Sequence, residues 1–138
     1  MELAMIGLGK MGANMARRLL RGGHRVVGMD RSGKMARLLA EEEGLLPVAS
    51  LAEAVAALQA RRVVWVMVPA GEATERVIGD LGELLQAGDT VIDGGNTFYK
   101  DDVRRAARLA ERGIHYVDVG TSGRSEEHTS ELQSPNTI

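Results

Sequence analysis

The chain has 138 residues, 44% of them hydrophobic and 26% charged, with a formal net charge of −2 and no cysteine. That length suits one domain with a real core, and the balanced charge gives no electrostatic case for nucleic acid or an anionic membrane as partner. The absence of thiols excludes a disulfide framework, a thiolate nucleophile and a Cys-based zinc site.

Strands and helices alternate along the sequence. Glu2 to Ile6 is a short apolar run ending at Gly7, which predicts a buried strand. Met11 to Arg21 places Met11, Met15, Leu19 and Leu20 at helical spacing, with Arg17, Arg18 and Arg21 late in the helix and Gly22-Gly23 as its stop. Arg25 to Met29 is a second strand closed by Asp30, Gly33 to Glu43 a helix ending at Gly44, and a short apolar stretch then runs through Val48. Ser50 and Glu53 have the spacing of a capping box for a helix over Leu51 to Ala60. Arg62 to Val68 is continuous and β-branched, the pattern of a strand buried on both faces, and Trp65 within it is expected in the core. It stops at Pro69, far short of a membrane span. Glu72 to Gln86 is helical in pattern, Thr90 to Ile92 a strand, Tyr99 to Arg112 a helix and Ile114 to Val119 a sixth strand. This alternation implies parallel β-α-β units. Glu2 also stands where an export signal would be basic, so a cytoplasmic protein is expected.

Residues 124–138 break the pattern, with almost no apolar content and a clustering of Ser, Glu and Thr. Composition reads as a disordered tail. Arg124 to Ser134 also resembles the in-frame translation of a common short-read sequencing adapter. The adapter's variable index fills the codons of Pro135, Asn136 and Thr137, and the fixed bases after it encode Ile138. The tail is therefore expected to be a library artefact, leaving residues 1–123 as the domain.

Gly7-Leu8-Gly9-Lys10-Met11-Gly12 is G-x-G-x-x-G, a weak signal alone. Here it follows a strand, opens a helix, and is followed by Asp30 at the end of the next strand, which is the context of a Rossmann dinucleotide site. Gly7 permits the turn, Gly9 lets backbone approach a pyrophosphate, Gly12 lets helix pack on strand, and the helix N-terminus favours phosphate. The expected fold is α/β, a Rossmann-type doubly wound, mainly parallel six-stranded sheet with helices on both faces. Asp30 can accept hydrogen bonds from the adenosine ribose and would repel a 2′-phosphate; its bland alternative is a turn acid. Arg31 could pair with a 2′-phosphate or stack on adenine. The balance favours NAD, with NADP not excluded.

Three further motifs end later strands: Val66-Met67-Val68-Pro69-Ala70-Gly71, Asp93-Gly94-Gly95-Asn96-Thr97 and Asp118-Val119-Gly120-Thr121-Ser122-Gly123. With Gly7 to Gly12, they make residues 1–123 resemble the N-terminal domain of decarboxylating 6-phosphogluconate dehydrogenases, in particular the shorter, NAD-preferring bacterial form. The broader β-hydroxyacid dehydrogenases share the first motif but carry other residues after the fifth and sixth strands. The resemblance implies that Val68, Pro69 and Ala70 pass along the nicotinamide half of the dinucleotide. It implies that Asn96 contacts both nicotinamide and sugar acid, and that Ser122 and Gly123 begin a Ser-Gly-Gly substrate loop whose third position here is Arg124. Pro69 could equally be a strand stop and Asn96 a turn residue.

The implied reaction oxidises 6-phosphogluconate at C3 and releases CO₂ to give ribulose 5-phosphate. The family's catalytic Lys and Glu, and the helical domain that completes its pocket and homodimer, lie beyond the Ser-Gly-Gly loop. Lys10 and Lys100 align with neither catalytic residue, so a truncated, inactive, dinucleotide-binding fragment is expected. Another β-hydroxyacid dehydrogenase, 3-hydroxyisobutyrate-like, or a non-catalytic dinucleotide sensor remains an alternative. His24 and His115 lack partners at metal-ligand spacing, so no metal is expected, and Met11 and Met15 read as helix packing, with Met11 able to brush the nicotinamide. Arg104, Arg105, Arg108 and Arg112 read as a solvated helix face.

Overall fold

Period-two alternation in the strands sorts the apolar side chains onto the two faces of one sheet. The computed structural model describes residues 1–68, 72–94 and 99–119. In chain order it contains β1 (Glu2–Ile6), α1 (Lys10–Arg21), β2 (Arg25–Met29), α2 (Lys34–Glu43), β3 (Leu46–Pro47), α3 (Leu51–Ala56), β4 (Val63–Val66), α4 (Glu72–Leu84), β5 (Thr90–Asp93), α5 (Tyr99–Ala110) and β6 (His115–Asp118). The strands lie in the order β3-β2-β1-β4-β5-β6, and every pairing is parallel. This is the expected doubly wound sheet. The chain winds outward through β2 and β3, then returns to place β4 on the other side of β1. A crevice at the carboxyl ends of β1 and β4 follows from that reversal.

On one face Ala4, Ile6, Val27, Val64, Val66 and Val91 pack against Ala54 and Val55 of α3, Ile78 and Leu81 of α4, and Leu109 of α5. On the other, Leu3, Met5 and Val26 pack against Ala13 and Ala16 of α1 and Ala36 and Leu39 of α2. The buried stripe of α1 is Gly12, Ala13 and Ala16, whereas Met15, Leu19 and Leu20 are half-buried and Met11 is exposed. Small residues thus set the contact with β1, which brings the first turn of α1 close to the strand end.

The expectation that β4 is buried on both faces is corrected. Val64 and Val66 are buried, but Val63 and Trp65 are half-buried. Both helices on that face, α1 and α2, lie over β1, β2 and β3. Trp65, Ile92 and Val117 are consecutive partners across β4, β5 and β6, and all three are half-buried. Trp65 therefore borders the core instead of filling it.

Local chemistry sets the helix ends. Ser50 Oγ accepts the Glu53 N–H at 3.1 Å, as a capping box requires. The return bond from Glu53 is accepted from Ala49 N–H at 3.0 Å, one residue before the N-cap. Helix α3 ends at Ala56, short of the expected Ala60, and Arg61 takes a left-handed φ of 56° before β4. The last turns of α1 and α2 are joined by Arg21, whose Nη2 and Nε meet Glu43 at 2.6 and 3.1 Å.

Candidate functional site

The site is built outward from the turn between β1 and α1. Gly7 has φ +100°, and a Cβ there would stand 2.8 Å from the Met67 carbonyl oxygen. Its N–H donates to Met29 O at 2.9 Å, which ties the turn to the end of β2. A side chain at Gly12 would overlap the Gly7 carbonyl oxygen. These two glycines are therefore required by the fold itself. Gly9 differs: among the described residues, a Cβ there would have no heavy atom within 4 Å. It is the N-cap of α1, with no side-chain cap bond and no acidic residue in the following turn. Among the described residues no side chain caps the first-turn N–H groups, which lie at the positive end of a helix dipole with exposed Lys10 beside them. This arrangement fits a pyrophosphate. Leu8 is 4% exposed and packs into the core, so it offers only backbone to a ligand, whereas Met11 is 52% exposed beside the turn.

Asp30 follows β2, next to Met29, which holds Gly7. Its Oδ2 accepts the N–H of Met35 at 3.2 Å and its Oδ1 that of Ala36 at 3.1 Å. The N-cap of α2 is Gly33, in left-handed conformation and without a capping side chain, so Asp30 caps this helix from three residues upstream. Ser32 Oγ also lies 3.4 Å from Oδ2. Each carboxylate oxygen still has lone-pair capacity for a ribose hydroxyl. Arg31 is exposed.

Val68 continues β4 into the same crevice, with its Cγ1 3.2 Å from where a Gly7 Cβ would stand. Gly94, at the end of β5, donates its N–H to Val66 O at 2.9 Å. A side chain on Gly94 would collide with Met67 Sδ and with Trp65 Nε1, which themselves meet at 3.2 Å. The structure therefore brings Gly7 to Gly12, Met67, Val68 and Gly94 together, with Asp30 alongside. Pro69, Ala70, Asn96, Ser122, Gly123, the side chain of Lys100 and the tail over 124–138 lie outside the described residues.

One cluster escaped the sequence reading. Asp93, immediately before Gly94, is fully buried, and its Oδ2 accepts the Tyr116 hydroxyl at 2.7 Å. Arg105 is 3% exposed, which corrects its assignment to a solvated face. Its Nη1 lies 3.8 Å from Asp93 Oδ2, and its Nε and Nη2 reach Glu75 Oε1 at 3.0 and 2.7 Å. Burial works to lower the Arg105 pKa, but hydrogen bonds to Glu75 and Tyr116 outweigh it and hold the group above the ordinary arginine value. The guanidinium stays charged. An acid ending an apolar strand just before a Gly-Gly turn was the available signal for Asp93. Nothing in the spacing separates Arg105 from its three neighbouring arginines. An open cleft between α3 and α4, lined by Leu51, Ala52, Asp80, Glu83 and Leu84, contains none of the expected residues. Its two carboxylates disfavour an anionic ligand.

A family model described as the NAD binding domain of 6-phosphogluconate dehydrogenase matches residues 2–131, and the chain belongs to that family. The family is one of NAD(P)-dependent oxidoreductases. The chain is 41% identical over 123 residues to an NAD(+)-dependent, decarboxylating 6-phosphogluconate dehydrogenase of Haloferax volcanii, covering 89% of this chain and 40% of the relative. A solved 6-phosphogluconate dehydrogenase of Plasmodium falciparum is 26% identical, with a TM-score of 0.79, and the match covers 94% of this chain and 29% of that one. A 3-hydroxyisobutyrate dehydrogenase of Mycobacterium tuberculosis is 28% identical, with a TM-score of 0.78, over 97% of this chain and 50% of that one. The chain spans less than half the length of the curated relatives it matches, 42% of one and 27% of another.

Proposed function

We propose that this member of the family binds NAD in preference to NADP in the crevice at the carboxyl ends of β1, β2 and β4. The whole protein to which it corresponds oxidises 6-phosphogluconate with loss of CO₂, giving ribulose 5-phosphate. The observation that carries the binding reading is Gly9: an uncapped helix N-terminus opening onto space that a single Cβ would begin to fill.

The backbone of Gly7, Leu8, Gly9, Lys10, Met11 and Gly12 would hold the pyrophosphate. Asp30 would accept from the adenosine ribose, and Arg31, exposed beside it, would lie along the adenine. A 2′-phosphate would meet the Asp30 carboxylate, which is the physical basis for preferring NAD. Val68, Pro69, Ala70 and Asn96 would line the nicotinamide half. Asn96, with Ser122 and Gly123, would also hold the sugar acid. NAD supplies the hydride acceptor; the chain's own residues bind and orient.

A base for the C3 hydroxyl and an acid for the enediol carbon are also needed. None of the residues assigned here supplies them, so the chain itself is proposed to bind without turnover, and a homodimer is proposed for the whole enzyme. The 3-hydroxyisobutyrate dehydrogenase matches with nearly the same TM-score, so the fold does not discriminate between substrates. Gly95-Asn96 after the fifth strand supports the 6-phosphogluconate reading. Residues 124–138 are proposed to be adapter translation, although the family match runs on to residue 131. Resequencing the source DNA with adapters of different sequence checks this: a tail that persists would be native.

Calorimetric titration with NAD and NADP tests the binding reading. Tighter binding of NAD is expected, and tighter binding of NADP would sink the Asp30 argument. Mixing the chain with NAD and 6-phosphogluconate should produce no reduced nicotinamide; sustained turnover would refute the proposed inactivity.

A further inference from the structure

We propose that Glu75, Asp93, Arg105 and Tyr116 are positioning residues that fix the two elements flanking Asn96, and through them the nicotinamide end of the site. This rests on the reading above that Asn96 meets the nicotinamide half of the dinucleotide.

Asp93 is the last residue of β5, and Arg105 lies on α5, the helix that starts at Tyr99. The chain segment carrying Asn96 connects these two elements. Asp93 Oδ2 and Arg105 Nη1 are 3.8 Å apart, so an ion pair joins β5 and α5 across that segment. Tyr116 adds β6 by donating its hydroxyl to the same Oδ2 at 2.7 Å, and Glu75 adds α4 through its two contacts to Arg105. Four elements thus converge on one guanidinium. Gly94 follows Asp93 directly and is held to β4 by its N–H bond to Val66 O.

Burial makes this arrangement unusual for a merely stabilising device. Asp93 is 0% and Arg105 3% exposed. Desolvation offsets most of what a buried ion pair gains, and apolar side chains of similar volume would often stabilise as well. A buried charge cluster tied by directed hydrogen bonds, from Tyr116 to Asp93 and from Arg105 to Glu75, contributes direction instead, since each bond restricts the geometry of its partners. The phosphate turn is built separately, from Gly7, Gly12 and Met67, and shares none of these four residues. Loosening the cluster should therefore weaken contacts at the nicotinamide end and spare those to the pyrophosphate and adenosine.

The test compares NAD with ADP-ribose, which keeps both phosphates and lacks the nicotinamide. Titrations would use the 138-residue chain, Tyr116→Phe, which removes only the hydroxyl, and Glu75→Gln, at the more exposed end of the cluster. The unsubstituted chain should bind NAD more tightly than ADP-ribose. Tyr116→Phe should lose about five- to tenfold in NAD affinity, with ADP-ribose unchanged within about twofold. Glu75→Gln should shift in the same direction by less, and it carries the test if Tyr116→Phe does not fold. Equal losses for both ligands, or no loss for either, would overturn the positioning role while leaving the binding reading intact. An unsubstituted chain that binds neither ligand would overturn both.

Discussion

Asp30 carries two demands on one carboxylate. It caps α2 by accepting from Met35 and Ala36, because Gly33 at the N-cap has no side chain to do so. It is also the group proposed to meet the adenosine ribose. Asp30→Ala should therefore cost about 1 kcal/mol of stability, the usual value of a lost N-cap, read by urea denaturation. It should also narrow the preference for NAD over NADP in titration. A narrowed preference with unchanged stability would mean that the cap contributes nothing. The proposed ribose role of Asp30 rests on its place after β2 in the sequence; its capping role was not legible there, since the acceptor sits three residues before the N-cap it replaces. Arg105 was illegible for another reason. Four arginines fall between 104 and 112, and which one turns inward depends on where Asp93 and Tyr116 lie in the sheet.

At the scale of elements, strand positions followed from apolar runs and glycine stops, and β1 and β2 match their expected bounds. Helix ends moved by a few residues because carbonyl and side-chain caps, not propensity, terminate them. The burial of β4 was overread: a continuous β-branched run says that both faces are apolar, not that both are covered. Packing between α1 and α2 adds an electrostatic clamp that the sequence did not mark. The hydrogen bond from Arg21 holds the Glu43 carboxyl below its usual range, and burial opposes that shift without cancelling it. A depressed carboxylate pKa contributes stability that is present above the unfolded-state value and is lost as pH falls through the folded-state value. Glu43→Gln should accordingly lower the melting temperature at neutral pH and have little effect at the acid end of that window. Because Arg21 is largely exposed, the effect should be small and should shrink with added salt. A difference that persists unchanged into acid would contradict the clamp.

For the molecule as a whole, parallel order places the carboxyl ends of all six described strands along one edge of the sheet, and the reversal beside β1 opens the crevice proposed for a dinucleotide. The apparent acidity of the chain comes from residues 124–138, since Glu126, Glu127 and Glu131 outweigh Arg124 by the whole net charge of −2. The rest is charge-balanced, which leaves attraction for a phosphate to the local field of α1. That local field is the central claim, and Gly9 tests it most directly. At φ −70° an alanine is unstrained, and its Cβ would meet no atom of the described residues within 4 Å. The measurement is a calorimetric NAD titration of Gly9→Ala beside the unsubstituted chain, with both melting curves recorded. A stability loss of no more than about 1 kcal/mol and an affinity lowered at least about tenfold are predicted. A folded Gly9→Ala chain that binds NAD as tightly as before would contradict the account.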